Sequence, residues 1–171
     1  MNETPPRIAL VAAGGRIGLY GRHRLDLAEY ADFGRFLEPN ELLERVPELQ
    51  SIARLELVPF KRVVSSAMRP DDWIVLGRAL CAALEQASGA VVLHGTSTLE
   101  ETAYFLHLTL PTERPVVLVG AMRPSSGLSQ DGDLILLNAV RVAFGLCSGR
   151  RGERLLEARE RGVDIGLAVG D

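Results

Sequence analysis

The chain has 171 residues, of which 47% are hydrophobic and 24% are charged. This balance is typical of a globular protein with one ordinary core, and it excludes a disordered chain and a membrane-embedded one. The formal net charge is only −3, so the charge balance indicates no polyanion-binding surface, and we expect no nucleic acid partner.

The amino-terminal segment combines a short apolar run with a glycine turn. Residues 1–15 read MNETPPRIALVAAGG, which lacks the basic start and the long apolar core of a secretion signal. No apolar run approaches the ~20 residues of a membrane span, so we expect a cytoplasmic protein with no membrane partner. Residues 7–13 are predicted to form a buried strand that ends in a tight turn at Gly14 and Gly15.

The next part of the chain is less regular. Residues 16–36 contain two tyrosines and several arginines and are predicted to form a long loop or hairpin. Residues 41–52 have a helical pattern that Pro47 interrupts, and residues 54–60 alternate as in a strand. Residues 70–86 are predicted to be helical because four apolar side chains recur at spacings of three and four on one face: Trp73, Leu76, Leu80 and Leu84.

Strands and helices then alternate towards the end of the chain. We predict strands at residues 90–93, 115–119 and 163–169, and helices at residues 98–109, 133–144 and 152–161. This alternation predicts an α/β fold with a parallel sheet covered on both faces. Cys81 in a helical pattern and Cys147 in a loop-like one lack the close pairing of a metal or redox motif, so both are interpreted as free thiols.

Three turns follow predicted strands and share the same chemistry. They contain glycines, hydroxyls and arginine: Gly14-Gly15-Arg16, His94-Gly95-Thr96-Ser97-Thr98 and Gly120-Ala121-Met122-Arg123-Pro124-Ser125-Ser126. Because ligands of open α/β sheets bind at the carboxyl ends of the strands, we expect these turns to line one site.

Several longer motifs resemble a known family. HGTSTLEETAYFLHLTL, followed by RPVVLVGAMRPSSGLSQDGDLILLNAVRVA, resembles the amino-terminal domain of the bacterial L-asparaginase and glutaminase family. RIALVAAGGRIG is similar to that family's opening strand and T-G-G-T-I-A turn, and SSAMRPDDWIVLG to its S-x-x-M-T-P-x-D-W motif. The resemblance implies a three-layer α/β sandwich with a mainly parallel sheet, Rossmann/flavodoxin-like in type.

The resemblance also implies a hydrolase that cleaves a side-chain amide through a threonine nucleophile and needs no metal or cofactor. Of the family's two threonines, the second is retained as Thr96, whereas the first falls on Arg16, which has no hydroxyl and stays charged. The aspartate that follows the second threonine is Ser97 here. The family's relay lysine would follow residues 163–169, and the sequence ends at Asp171, so we expect Thr96 to lack this base.

Other positions of the family's substrate pocket are retained. The resemblance places Ser65 at the substrate carboxylate, Gly95 at a backbone contact and Ala121 beside the substrate amide. Tyr20 and Tyr30 compete for the family's lid tyrosine, and Tyr20 is our first choice. Family members are about twice this length, so we expect either a truncated chain or a short relative that completes its pocket differently.

The hydroxyls of the second turn also have a structural interpretation. Ser97 or Thr98 is suited to cap the helix that begins near Leu99, and this interpretation stays open beside pocket lining. His94, at a strand end, is interpreted as a structural hydrogen-bonding residue rather than a base. Histidines and carboxylates lack metal-ligand spacing, so we expect neither a metal nor a cofactor.

Three functions remain open on these observations. One is an asparaginase-type amidohydrolase that works through Thr96. Another is a catalytically inactive relative, in which Arg16 binds a carboxylate with its planar donors. The third is a subunit that assembles with a partner. We expect a single domain over residues 1–171, a homo-oligomer, and a small amide or amino acid ligand such as asparagine or aspartate.

Overall fold

A computed structural model describes residues 5–147 and the backbone of residues 166–168. The described strands are β1 (Arg7–Ala12), β2 (Leu19–Tyr20), β3 (Arg35–Phe36), β4 (Arg54–Val58), β5 (Gly89–Leu93), β6 (Val116–Val119) and β7 (Gly166–Ala168). The helices are α1 (Tyr30–Phe33), α2 (Pro39–Glu44), α3 (Pro70–Leu84), α4 (Leu99–Thr109) and α5 (Gly132–Cys147). Short 3-10 helices cover Arg16–Gly18, Pro47–Ser51, Ser65–Ala67 and Thr96–Thr98.

Five of these strands form one sheet in the order β4-β1-β5-β6-β7. The pairs β4·β1, β1·β5 and β5·β6 are parallel, and β7 pairs with β6 in the antiparallel direction. Counting only the strands of this sheet, the order is 2-1-3-4-5, which is the flavodoxin-like order. The predicted α/β fold with a mainly parallel sheet is therefore confirmed, with one antiparallel strand at its edge.

Alternate residues of the central strands face two separate cores. Ile8, Leu10, Val91 and Leu93 belong to one cluster, which packs against α2, the 3-10 helix at Pro47–Ser51 and α5. Ala9, Val11, Ala90 and Val92 belong to the other, which packs against α3 and α4. Each fully buried Val or Leu side chain contributes about 2 kcal/mol of transfer free energy, so both faces favour the fold. These two clusters confirm the predicted three layers.

Most predicted elements agree with the structure to within two or three residues, and the differences have physical causes. Residues 41–52 divide into α2 and a 3-10 helix because Pro47 has no backbone N–H to donate. Residues 16–36 contain the antiparallel pair β2·β3, as in the predicted hairpin, together with the short helix α1. Cys147 ends α5 rather than lying in a loop. The helix predicted at 152–161 falls outside the described residues.

Candidate active site

The first and second turns are in direct backbone contact at the carboxyl ends of β1 and β5. Gly14 and Gly15 have φ angles of 129° and 84°, which side-chain-bearing residues rarely adopt. A Cβ atom placed on Gly15 would lie 2.5 Å from the carbonyl oxygen of His94 and 2.7 Å from the Cα atom of Gly95. In a flavodoxin-like sheet, β1 and the third strand flank the switch point where ligands bind. That third strand is β5 here.

The third turn reaches the second from the other side. A Cβ atom placed on Gly120 would lie 2.8 Å from the carbonyl oxygen of His94 and 2.9 Å from Cγ2 of Thr96. Ala121 is buried next to it. Asp131 fixes this turn because its carboxylate accepts hydrogen bonds from the backbone N–H groups of Met122 at 2.9 Å and Arg123 at 3.0 Å. The three turns thus form one surface, as expected.

Ser65 adds a fourth segment to this surface. It is buried in the 3-10 helix between β4 and α3, and its Oγ accepts a 3.3 Å hydrogen bond from the backbone N–H of Ser97. The Thr98 hydroxyl donates a 2.9 Å hydrogen bond to the Ser65 carbonyl. A Cβ atom on Gly95 would overlap the Ser65 side chain. Gly95 is therefore needed for the close approach of these two segments.

Helix capping does not account for the hydroxyls of the second turn. Thr98 occupies the N-cap position of α4, but neither it nor any other side chain forms a cap hydrogen bond there. The Thr98 hydroxyl is directed instead at the Ser65 carbonyl. The side chains of Thr96 and Ser97 are exposed on the same surface. The predicted capping role for Ser97 or Thr98 is therefore wrong, because the contact with the Ser65 segment uses the Thr98 hydroxyl.

The segment that carries Ser65 is held at its far end by an ion pair. Lys61 Nζ lies 2.5 Å from Oδ1 of Asp72, whose other carboxylate oxygen accepts a 3.0 Å hydrogen bond from the Arg69 backbone N–H. The hydrogen-bonded Lys61 ammonium, together with the Arg69 N–H, lowers the pKa of Asp72 below its usual value. Lys61 is the only lysine of the chain. Its contacts join β4 to the start of α3 and so fix the ends of the loop around Ser65.

Arg16 bridges the first and third turns. Its guanidinium donates a 2.9 Å hydrogen bond to the Met122 carbonyl and lies 5.9 Å from the centre of the Tyr30 ring. The Tyr30 side chain is buried, whereas Tyr20 is 38% exposed and lies against the guanidinium of Arg35 at 5.6 Å. The aromatic ring beside Arg16 is thus that of Tyr30.

His94 lies beneath the turn and is completely buried. Its Nδ1 is 2.7 Å from the Gly95 carbonyl oxygen, and its Nε2 is 3.1 Å from the Thr102 hydroxyl. Burial lowers the pKa of His94 below its usual value, although the Gly95 carbonyl opposes this effect. This shift favours the neutral form of the ring, and its position agrees with the structural role predicted for it.

The sequence did not point to Trp73 and Thr102 as neighbours of this site. The Trp73 indole N–H donates a 2.8 Å hydrogen bond to the Thr102 hydroxyl, which contacts His94. Helical periodicity places both residues correctly on inward faces, but it does not show that α3 and α4 pack against each other at this point. The only sign of this contact in the sequence was a polar group on the inward face of each helix, the indole N–H of Trp73 and the hydroxyl of Thr102.

The described residues contain neither a metal-binding cluster nor a helix that could span a membrane. Within residues 5–147 there is no group of three or more His, Cys, Asp or Glu side chains placed to hold a metal ion. None of the helices in the described part of the chain is long and apolar enough to cross a membrane. Cys81 and Cys147 are both free thiols, as predicted.

A flavodoxin-like sheet with glycine-rich, hydroxyl-rich turns at its switch point defines the class of α/β proteins in which small ligands bind at the carboxyl ends of the strands. Comparison with known families shows to which family within this class the chain belongs. Residues 7–152 match the family model described as Asparaginase, N-terminal. The chain therefore belongs to the asparaginase family and contains its amino-terminal domain.

Individual relatives agree with this assignment. The chain is 43% identical over 147 residues to a probable periplasmic L-asparaginase of Haemophilus influenzae, covering 86% of this chain and 41% of that protein. It is 38% identical over 149 residues to L-asparaginase 2 of Escherichia coli, with coverages of 86% and 41%. A crystal structure of a probable cytoplasmic L-asparaginase from Campylobacter jejuni superimposes with a TM-score of 0.76 at 36% identity, covering 81% of this chain and 42% of that one. The chain thus spans less than half the length of these relatives.

Proposed function

We propose that this asparaginase-family domain binds a small amino acid at the surface formed by the three turns and the Ser65 segment. L-Aspartate and L-asparagine are the first candidates, because the relatives named above are described as an L-asparaginase or a probable L-asparaginase. The observation that carries the proposal is that the hydroxyls of Ser65, Thr96 and Ser97 and the guanidinium of Arg16 belong to segments in mutual contact where β1 and β5 end. Such donors suit a carboxylate.

Each part of the ligand has a candidate partner. The Ser65 hydroxyl already accepts from Ser97 N–H, so its own hydrogen can be directed at a ligand carboxylate. Arg16 uses one NH1 contact on the Met122 carbonyl, and a guanidinium has five N–H donors in all. We therefore assign Arg16 to a second acidic or amide group of the ligand. Gly95 and Ala121 supply backbone contacts.

Hydrolysis of the amide is the second candidate function, and the exposed hydroxyl of Thr96 favours it. In this mechanism the Thr96 hydroxyl attacks the side-chain amide carbon of L-asparagine, the C–N bond breaks and ammonia leaves with the hydroxyl proton, and water then hydrolyses the threonine ester to release aspartate. A threonine hydroxyl needs a neighbouring base to become nucleophilic. Arg16 and Ser97 cannot act as that base, so we propose binding as the principal function and hydrolysis as dependent on a group supplied from elsewhere.

One pair of measurements separates the two candidates. Calorimetric titration with L-aspartate and L-asparagine tests binding, and Arg16→Ala should weaken the binding at least tenfold. Ammonia release from L-asparagine and L-glutamine, beside a Thr96→Ala control, tests hydrolysis. Binding without ammonia release supports a catalytically inactive relative, and release that Thr96→Ala abolishes supports hydrolysis. Absence of both would sink the proposal.

We also propose, on the sequence interpretations alone, that residues 1–171 form a single domain and that the protein is a homo-oligomer. Sedimentation velocity tests the second point directly. A cytoplasmic location remains a prediction, which fractionation of cells that produce the protein would test.

A further inference from the structure

A chain of hydrogen bonds runs from α3 to the second turn of the site. It begins at the indole N–H of Trp73, which is 2.8 Å from the Thr102 hydroxyl oxygen in α4. It continues over 3.1 Å from that hydroxyl to His94 Nε2, and it ends with 2.7 Å between His94 Nδ1 and the Gly95 carbonyl oxygen. We call these three side chains the Trp73 relay.

The chemistry of the partners fixes the direction of each bond. The Gly95 carbonyl only accepts, so His94 Nδ1 carries the hydrogen and donates it. Nε2 of the neutral ring then accepts, and the Thr102 hydroxyl is its donor. Thr102 shares its single hydrogen between Nε2 and the Thr98 carbonyl, which is 2.8 Å away. The indole N–H of Trp73 satisfies the hydroxyl oxygen as an acceptor.

Burial makes this chain of bonds strong. His94 and Thr102 both have 0% exposure, so water cannot replace a lost partner. The Trp73 ring is oriented by stacking on Phe105, with ring centroids 5.6 Å apart and planes at 30°. Asp72, the residue before Trp73, is anchored by Lys61. Stacking on Phe105 thus fixes the ring of Trp73, and the anchored Asp72 fixes the backbone beside it.

The end of the relay lies in the surface of the site. The Gly95 carbonyl belongs to the peptide group that precedes Thr96, so its direction sets the plane of that peptide. Two residues further on, the backbone N–H of Ser97 donates to Ser65 Oγ. Rotation of the Gly95 carbonyl away from His94 would therefore move both Thr96 and the contact with Ser65.

We propose that Trp73, Thr102 and His94 are positioning residues that fix the backbone of the second turn in its ligand-binding conformation. They touch no ligand, and Trp73 acts through Thr102 and His94. This role rests on the proposed binding function where affinity is concerned. The effect on the backbone of the turn can be measured without any ligand.

The test compares four variants of the chain. Thr102→Val removes the hydroxyl at nearly constant shape, whereas Thr102→Ser keeps the hydroxyl and removes only the methyl group. Trp73→Phe keeps an aromatic ring but removes the indole N–H. Thr109→Val is the matched control, since Thr109 is exposed on the same helix and its hydroxyl also bonds to a carbonyl four residues earlier, that of Phe105. Amide hydrogen exchange of residues 94–98 is measured for each, together with the affinity for L-aspartate.

We expect Thr102→Val and Trp73→Phe to speed exchange in residues 94–98 about tenfold and to weaken L-aspartate binding by a similar factor. Thr102→Ser and Thr109→Val should remain within about twofold of the natural chain. Unchanged exchange in Thr102→Val and Trp73→Phe would overturn the proposal, and so would a Thr102→Ser that behaves like Thr102→Val. Faster exchange in a chain that binds no L-aspartate would leave the relay standing and reject the binding function instead.

Discussion

The hydroxyl of Thr98 donates a 2.9 Å hydrogen bond to the backbone carbonyl of Ser65, 33 residues earlier in the chain. This bond joins the turn after β5 to the segment before α3. It holds the second turn and the Ser65 segment of the candidate site together. Loss of the Thr98 hydroxyl should therefore affect both the stability of the protein and the ligand affinity.

The substitution Thr98→Val tests this hydrogen bond between the two segments. We expect the free energy of unfolding to fall by about 1 kcal/mol, because the bond is partly buried and valine matches the shape of threonine. Urea unfolding measures the change, and Thr109→Val on the exposed end of the same helix should change it by less than about 0.5 kcal/mol. Equal effects of the two substitutions would show that the Ser65 contact contributes no stability.

Gly95→Ala should be severely destabilising. The new Cβ atom would lie 2.5 Å from the Ser65 Cβ atom, so the turn and the Ser65 segment must separate, at a cost of about 2 kcal/mol or more. Gly77→Ala is the matched control, because a Cβ atom at this position in α3 would lie at an ordinary contact distance of 3.8 Å from Leu106 Cδ2. That change should be neutral or stabilising by up to about 1 kcal/mol. Thermal unfolding of both variants decides the point.

The Lys61–Asp72 ion pair should make stability depend on pH in the acid range. Lys61 lowers the pKa of Asp72 in the folded protein, so the unfolded chain binds a proton at Asp72 at higher pH than the folded one. The stabilisation is therefore complete above the ordinary carboxyl pKa and is lost as the pH falls through the lower folded-state pKa. Lys61→Gln should reduce this loss and flatten the melting temperature against pH. An unchanged profile in Lys61→Gln would contradict the assignment.

The resemblance to the family implies a nucleophilic threonine where this chain has Arg16 and an aspartate where it has Ser97. The double variant Arg16→Thr, Ser97→Asp restores a hydroxyl and a carboxylate at the edge of β1 and β5. If the rest of the pocket has the proposed geometry, we expect L-aspartate affinity to change and ammonia release to appear or increase. Ammonia release no higher than in Thr96→Ala would show that restoring these two side chains is insufficient.

The L-aspartate affinity of Arg16→Lys should fall between that of the natural chain and that of Arg16→Ala, since lysine keeps the charge but not the planar donors.

The layer structure and the meeting of the three turns could both be predicted from the sequence. Short apolar runs ending in glycine, such as Ile8 to Gly14, indicate buried parallel strands, and parallel strands place their following turns on one edge. The family motifs then identified Ser65 and Gly95 as neighbours of those turns. These predictions depend on local pattern and on chain order, which a single sequence contains.

Side-chain partners across the fold could not be predicted in the same way. Thr98 is suited to an N-cap by position, and only the packing of the Ser65 segment shows that its hydroxyl has a different acceptor. The antiparallel direction of β7 is also a tertiary outcome, because an edge strand accepts either direction and its apolar pattern is the same in both. The contact between Trp73 and Thr102 depends on the relative rotation of α3 and α4.

Gly15 and Gly120 follow β1 and β6, the two strands on either side of β5, and both approach the same carbonyl oxygen of His94. Neither position has space for a methyl group. A substitution in one turn that shifts this oxygen would therefore collide with the turn on the other side. The turns must accordingly change as a set during evolution or redesign. A graft of the second turn alone from a longer relative is expected to fold only if the residues at positions 15 and 120 remain glycine.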